Sequence, residues 1–592
     1  ILQLGAVVVQ ATAVPGGSSI DADKIPGNIQ DLSASDLSSN GSASLTQAMN
    51  TNLGSINTND NLDDPFQPDI LYRGFEASPV LGTPQGLAVY QNGVRINEAF
   101  GDTVNWDLFP DVAIDRVNLV SSNPVYGLNA LGGAITVDMK NGFNYDSGDI
   151  ELAGGSFGQR SATVQYGANS GIFGIYVAGR AFNEDGWREF SSDALRQFYT
   201  DVSARTDRLS VDLSYTYADN HLDGQGAAPV QELAVSRSLV FTGPQANDNR
   251  LNFFTLNTSL KVTEDWSLQG VLYYREYSQI VSNGNTTNYM ACTTPAFAGV
   301  LCQPDGLTPV TNAAGQNLPD ISDGGTVPIG ENDFETINSY SRGVTLQVGN
   351  QQSIFGHDNQ FTAGATLDES RVNFYSGTQI GVINAQLLVL PSDLYVDTPE
   401  SSPFGGTPVS LIADDRDLGV YATDTFDVTS KFSITASGRY DLAHIDLNDQ
   451  LGTSLTGDNR FSHFNPALGG TYQLLPTLTA YAGISTTTRT PTASEIECSD
   501  PLKPCVLPSN LAGDPPNLRQ VVAHTGELGV RGTIPSNGIS WNLGAFRTTS
   551  FNDIYGIATS VSQGFFQNIG STRRQGLESG FKYRNEKWSY YF

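Results

Sequence analysis

From about Asp149 onward the chain is a long series of segments in which apolar and polar residues alternate. Successive side chains of a strand point to opposite faces, so this period dictates two-faced strands. In "LSVDLSYTY", Leu209, Val211, Leu213, Tyr215 and Tyr217 share one face, and Ser210, Asp212, Ser214 and Thr216 take the other. "FSITASGRY" sets Phe432, Ile434, Ala436, Gly438 and Tyr440 against Ser433, Thr435, Ser437 and Arg439. "WSLQGVLYY" gives an apolar stripe with an aromatic near each end, from Trp266 through Leu268, Gly270 and Leu272 to Tyr274. A bilayer-spanning strand has an apolar outer face, aromatics at both interfaces and a polar lumen face. A soluble sandwich also alternates but needs no aromatic bracketing.

The connections alternate in length as well. Short turns occur at 167–171, 205–208, 262–266, 351–358, 428–432, 473–477, 534–538 and 584–588. Longer segments lie between them, the largest at about 280–337, 378–414 and 488–520. Short turns on one rim and long loops on the other are the pattern of outer-membrane barrels, whose long loops face outward. Two strands to each short turn, plus a first strand near Asp149, give roughly 17 strands where bacterial single-chain barrels have even numbers. The ending "KWSYYF" reads as the first half of a strand, so a missing C-terminal portion is expected.

Composition narrows the class further. Only 16% of the 592 residues are charged, against 61 glycines and 10% aromatics. Apolar runs such as "LGAVVV" are far shorter than the about 20 residues of a membrane helix. A net charge of -30 argues against a nucleic-acid partner, because little here would neutralise phosphates. The four cysteines form two close pairs, Cys292 with Cys302 and Cys498 with Cys505, each inside a long connection. Neither pair has CxxC spacing and no histidine adjoins them. Two local disulfides in an oxidising compartment are therefore expected, with zinc as the rival. No catalytic Ser/His/Asp arrangement, metal triad or carboxylate pair stands out by spacing, so neither an enzyme nor a resident metal or cofactor is expected.

Asn123–Gly142, "NPVYGLNALGGAITVDMKNG", invites a phosphate-loop reading. A phosphate loop opens a helix whose N-terminus faces the anion. Here the glycines lead into "AITVDMK", which alternates like a strand, and no Walker lysine or GxGxxG is present. The neighbourhood supplies another reading. "DILYRGFEASP", "GLAVYQNGVRINEAFG" and "AIDRVNLVSSNPVYGLNALGGAITVDMKNG" resemble the plug domain of TonB-dependent outer-membrane receptors. "AVVVQATA" (Ala6–Ala13) resembles that family's TonB box, and "HTGELGVRG" and "FQNIGSTRRQGLESG" resemble its late barrel strands.

The resemblance implies an all-β transmembrane barrel of 22 antiparallel strands, about 17 of them in this chain, with an N-terminal mixed α/β plug in the lumen. Residues 1–20 would be the TonB-box segment and linker, 21–145 the plug and 146–592 the barrel. The implied function is TonB-dependent uptake of a scarce, large solute across the bacterial outer membrane. A ferric siderophore is the leading candidate, with cobalamin, an oligosaccharide or another metal chelate as alternatives. The haem receptors' "FRAP…NPNL" pattern is missing. A surface β-rich adhesin is the reading from a different class.

Implied partners are the TonB protein with its inner-membrane energising complex, outer-membrane lipids including lipopolysaccharide, and the small-molecule ligand. Ala6, Val7, Val8, Val9, Gln10, Ala11 and Thr12 would form the segment that pairs edge-on with TonB. Two plug arginines facing two barrel glutamates map onto Arg73 and Arg116 with Glu527 and Glu578. A wet lumen would hold each such pair to ~1 kcal/mol or less. Tyr289, Phe297, Tyr395 and Phe404 in the long connections, and His221, read as lying in a long-loop region, are the candidate ligand contacts.

Overall fold

The computed structural model describes residues 8–10, 12–15, 19–39, 44–399, 402, 404–506, 511, 518–534, 538–559, 563–585 and 587–592. Its N-terminal part holds ten short strands: β1 (Val8–Gln10), β2 (Ser19–Asp21), β3 (Ile29–Ser33), β4 (Ile56–Asn59), β5 (Asp69–Tyr72), β6 (Phe75–Ala77), β7 (Leu87–Gln91), β8 (Val94–Arg95), β9 (Ile114–Ser121) and β10 (Gly133–Met139). Two helices, α1 (Ala34–Ser39) and α2 (Leu45–Asn52), lie between β3 and β4. The strands assemble as a five-membered mixed sheet in the order β3-β9-β10-β7-β8, a three-membered sheet β4-β5-β6 and the pair β1-β2.

Turn chemistry explains several joins. Asn92 and Gly93 both take positive φ, 48° and 84°, as the tight turn between β7 and β8 requires. Gly133 has φ 152°, and a Cβ there would sit 2.2 Å from the Val120 carbonyl oxygen. The glycines of the 123–142 stretch thus serve close strand packing in this sheet. The stretch ends in β10, which pairs with β9 and β7.

After Gly148 the long described strands form one antiparallel meander. Its strands are β11 (Gly148–Gly154), β12 (Arg160–Asn169), β13 (Phe173–Glu184), β14 (Asp193–Arg205), β15 (Leu209–Leu222), β16 (Gln245–Lys261) and β17 (Trp266–Thr286). The loop hairpin β18 (Met290–Ala291) and β19 (Leu301–Cys302) follows, then β20 (Ile329–Asn350), β21 (Asn359–Ile383) and the short β22 (Val389–Tyr395). The meander continues with β23 (Val409–Thr429), β24 (Phe432–Asp449), β25 (Gly457–Leu475), β26 (Leu478–Arg489) and the short β27 (Cys505–Val506). It closes with β28 (Val521–Ile534), β29 (Ile539–Ala558), β30 (Gln563–Arg584) and β31 (Ser589–Tyr591).

Among the described residues the large sheet has nineteen members, of which β22 and β27 are short pieces contributed by loops. The remaining seventeen run in chain order, in agreement with the roughly 17 expected from turn spacing. The sheet curls around the N-terminal part as a barrel, and β11 and β31 are its two ends. No helix among the described residues is long and apolar enough to cross a membrane; the strands provide the spanning surface.

Parity sorts the two faces as the alternation requires. Leu528 is 62% exposed and its neighbour Glu527 only 9%; Leu577 is 83% exposed and Glu578 only 8%. Trp266, Leu268, Leu272 and Tyr274 all lie on the outside, while Gln269, Val271, Arg275 and Tyr277 are buried inward. Strands of 21 to 25 residues, as in β17, β20 and β21, are about twice the length a bilayer needs. They carry the barrel wall well beyond the membrane on the long-loop side.

Candidate functional site

Three features occupy the plug–barrel boundary: a buried ion-pair cluster, a wall of amide contacts and a mid-lumen cavity. The cluster is built on Arg73. Arg73 and Gly74 form the two-residue turn between β5 and β6, both at positive φ (55° and 75°), so the arginine projects from a hairpin apex. Its guanidinium donates from Nη2 to Glu527 Oε2 at 2.9 Å and from Nε to Glu578 Oε2 at 3.2 Å, with a further Nη2 contact to Glu578 Oε1. The three side chains are 2%, 7% and 5% exposed.

Other plug residues complete the cluster. The Ser121 hydroxyl donates to Glu527 Oε1 at 2.6 Å, the Ser55 hydroxyl to Glu578 Oε2 at 3.1 Å, and Asn28 Nδ2 to Glu578 Oε1 at 2.8 Å. The ring of Phe546 lies 4.6 Å from the guanidinium carbon. The cluster is therefore buried, and Glu527 also borders a small cavity of about 70 Å³. Removing one member of a pair this buried strands the other charge at a cost of about 3–5 kcal/mol, well above the ~1 kcal/mol expected for a wet lumen.

Arg116 sits elsewhere. It pairs in register with Asp138 of β10 and Ser33 of β3. It lies five residues before Ser121 on β9, or about 16 Å along the strand. Burial lifts the Asp138 carboxyl to about 6, and the Arg116 charge works against that rise. The structure thus brings Arg73, Glu527 and Glu578 together and places Arg116 within the plug sheet. Motif resemblance pointed to both arginines; no local signal separated them.

The opposite side of the plug is held mainly by amides, with Arg180 of β13 paired to Asp111 at 2.9 Å and Arg188 to Asp63 at 3.4 Å. Asp107, 1% exposed, accepts from Asn220 Nδ2 at 2.8 Å and from Gln67 and Asn249 at 3.2 Å. Gln197 donates to the Phe109 carbonyl at 2.8 Å, Asn105 to the Tyr277 hydroxyl at 2.8 Å, and Gln91 to Thr216 at 2.8 Å. These amide contacts dock the 91–109 region on the inner face of β14–β17.

A cavity of about 140 Å³ lies between plug segments 93–102 and 125–129 and the inner wall of β17, β20, β21, β23 and β24. Tyr90, Tyr273 and Tyr421 face it. Its charged lining includes Arg95, paired with Asp102, and Arg439, whose Nε donates to Asp441 at 2.6 Å. Asp368 accepts from the Tyr273 hydroxyl at 2.9 Å. Arg275 is 6% exposed and has no ion-pair partner among the described residues. Parity places it inward, since Trp266, Leu268, Leu272 and Tyr274 point out. Alternation in "LYYREY" was the signal that could have singled it out.

The expected ligand contacts lie apart from this cavity, and none of the five lines it. Tyr289 packs on a loop core of Leu301, Val310, Leu318, Ile380 and Val396. Phe297 ends a single 3-10 turn and Phe404 is half-buried in the 396–408 loop. Tyr395 stands edge-on to Phe334, with ring centres 6.2 Å apart. His221 is not in a loop: it belongs to β15, on the outward parity, with Nδ1 2.7 Å from Asp248.

Both cysteine pairs are disulfides, Cys292–Cys302 and Cys498–Cys505. The first closes the loop carrying β18 and β19. The second lies in the β26–β28 loop, whose base is tied to the plug. Arg489 makes a buried two-pronged pair with Glu495 (2.8 and 2.9 Å). Thr490 N donates to Asn129 Oδ1, and Ser494 N to the Phe100 carbonyl, each at 3.2 Å. Of the expected coupling segment, Val8–Gln10 form β1, paired antiparallel with β2, and β1 has no second strand neighbour among the described residues. Thr12 is buried and donates to Gln347 at 2.7 Å. Ala6, Val7 and Ala11 lie outside the described residues.

The family model for the TonB-dependent receptor-like β-barrel matches residues 234–592, and that for the TonB-dependent receptor plug domain matches 21–134. The chain belongs to the TonB-dependent receptor family. Members are outer-membrane β-barrel proteins that take in ligands and interact with TonB, so the family is one of receptors and transporters. The adhesin reading, which has no plug, falls away. No curated protein matches the sequence.

Solved structures of the same fold include the ferric citrate transporter FecA in its unliganded form, at 14% identity and TM-score 0.68, over 95% of this chain and 75% of that one. The ferric yersiniabactin uptake receptor FyuA from Yersinia pestis aligns at 13% identity and TM-score 0.67, over 96% of this chain and 78% of its own. The ferric-catecholate import receptor Fiu from E. coli K12 gives 13% and 0.70, over 99% and 81%. At these identities the likeness is one of fold.

Proposed function

We propose that this receptor performs TonB-dependent uptake of a scarce, large solute, a ferric siderophore. The observation that carries the reading is Arg275. It is a guanidinium buried in a cavity walled jointly by plug and barrel, without an ion-pair partner among the described residues. Glu98, Asp368, Glu369, Asp415 and Asp417 line the same cavity, so what the guanidinium lacks is a direct hydrogen-bonded contact, and an oxygen of a metal-bound chelator would supply it. Tyr90, Tyr273 and Tyr421 add ring faces suited to an aromatic or catecholate chelator, their hydroxyl protons being donated to the Tyr126 carbonyl, Asp368 and Gln347. Three proteins of similar fold are a ferric citrate transporter, a ferric yersiniabactin uptake receptor and a ferric-catecholate import receptor.

In this reading the ligand is captured from outside, and the closed plug blocks its passage until TonB, driven by the inner-membrane complex, acts on Ala6–Thr12. Lipopolysaccharide is the expected outer-leaflet neighbour of the barrel wall. Cobalamin, an oligosaccharide or another metal chelate are the competing solutes. The test is mass spectrometry of small molecules and metals co-purified with the receptor, joined to radio-iron uptake by cells that lack other ferric receptors. Iron bound to an organic chelator is expected. A co-purified cobalamin or sugar, with no iron uptake, would replace the siderophore reading.

A further inference from the structure

A second cavity, of about 70 Å³, lies below the first, towards the short-turn rim. Tyr126 lines both. The two follow one another down the same barrel strands. On β23 the upper cavity takes Asp415, Asp417 and Tyr421, and the lower takes Thr423 and Thr425. On β24 the upper takes Ile445 and Arg439, and the lower takes Ser437 and Thr435. From residue 417 to 425 this track runs about 26 Å along the strand.

On β23 to β26 the lower wall presents hydroxyls, glycines and an alanine to the lumen, and Glu527 of β28 completes the lining. Thr423 and Ser437 hydroxyls pair at 2.7 Å, Thr425 and Thr435 at 2.9 Å, and Gly469, Gly483 and Ser485 continue the surface on β25 and β26. This is the reverse of the β14–β17 wall, where long amides grip the plug.

One plug segment seals the lower end. Pro26 sits against β25 and β26 so closely that a Cβ on Gly469 would lie 2.5 Å from Pro26 Cβ, and one on Gly483 2.6 Å from the Pro26 carbonyl oxygen. Arg531 holds the segment by its backbone, with Nη1 donating to the Gly27 carbonyl at 3.1 Å and Nη2 to that of Ile25. Asn28 is held by Glu578 through its side chain and by Glu527 through its backbone N–H, at 2.8 and 3.4 Å. In sequence the segment comes directly after the β1–β2 pair, so traction on the N-terminus reaches it before the amide-docked region.

We propose that Ile25–Asn28 is a removable stopper, and that the solute passes between the plug and the β23–β26 wall once traction strips it from Arg531, Glu527 and Glu578. The plug stays docked on β14–β17 throughout. The proposal rests on the transport reading above but not on the identity of the solute.

All four native cysteines are disulfide-bonded, so an introduced cysteine is the sole free thiol. Ser437→Cys and Thr435→Cys on the slot, and Thr255→Cys on the amide-docked wall, are near-isosteric changes in the full chain. Each is probed in cells with a small charged methanethiosulfonate reagent, with and without working TonB. If the open state is at most a tenth populated at rest, the slot cysteines should label at least about tenfold faster when TonB is active. Thr255→Cys should not respond. Arg531→Gln added to Ser437→Cys should raise labelling in the absence of TonB.

Equal TonB-dependent labelling at Thr255→Cys would mean that the whole plug leaves, and would overturn the stopper. So would slot labelling indifferent to both TonB and Arg531. TonB-dependent slot labelling in cells that take up no ferric chelate would uphold the path and strike only the siderophore reading.

Discussion

Arg73, at the apex of a plug hairpin, donates to Glu527 of barrel strand β28 at 2.9 Å, with both side chains almost wholly buried. The contact joins residues 454 apart in sequence and carries Glu578 with it. A buried charge cluster fixes orientation strongly and is costly to break by halves.

Arg73→Ala leaves two buried carboxylates facing one another. We expect a loss of about 3–5 kcal/mol in plug docking, seen as increased permeability to large antibiotics with normal barrel assembly. Arg73→Ala combined with Glu527→Gln and Glu578→Gln should recover part of the loss, because no net charge is then stranded. Arg116→Ala should leave permeability near wild type. A leak from Arg116→Ala equal to that from Arg73→Ala would transfer the latch role to Arg116.

Deleting Ala6–Ala13 should abolish uptake while surface binding of the ligand stays within about twofold, since no cavity-lining contact but that of Ala13 is touched. Binding to whole cells and energy-dependent accumulation are measured side by side. Accumulation that survives the deletion removes this segment from the coupling role.

Alkylation of non-reduced protein should mark no cysteine, and peptide mapping should recover Cys292 with Cys302 and Cys498 with Cys505. Each closed loop is short, so replacing either pair by serine should cost roughly 2–3 kcal/mol of local stability. The readout is faster proteolysis of that loop, with barrel melting unchanged.

Burial, reinforced by the nearby Asp107, Asp60 and Glu184 carboxylates, lifts the Asp64 carboxyl to about 8. Its Oδ1 accepts from Phe66 N at 2.7 Å, and its Oδ2 has no partner. A folded pKa above the unfolded one means that this group's contribution is full below about pH 4. The contribution is lost as pH rises to about 8. Asp64→Asn should therefore melt with wild type at pH 4 and a few degrees higher at pH 8. A difference that is constant with pH would show that Asp64 does not titrate in this range.

Much of the architecture was legible in local pattern. Leu528 and Leu577 face out, and Glu527 and Glu578 face in, because alternation with period 2 leaves a strand no other choice once one face meets lipid. The eight short turns were visible for the same reason, and the cysteines paired within their own loops. The loop aromatics and the cavity are separate places in the fold. Tyr289 and Tyr395 are aromatic residues of long loops, but one packs into a loop core and the other onto Phe334. The cavity instead draws Tyr90, Tyr273, Tyr421 and Arg275 from four separate elements.

By itself the sequence determined the strand faces, the alternation of turn lengths, the Asn92-Gly93 hairpin and the local disulfides, since each depends on residues within a few positions. The tertiary structure alone decided that Arg73 meets the glutamates while Arg116 lies in the plug sheet, that the cluster is buried, and that the plug is gripped mainly by amides on one wall and faces small hydroxyls on the other. Those outcomes depend on where the curved wall brings residues hundreds of positions apart. Burial, which sets the strength of a charge pair, is a property of that assembly and not of any segment.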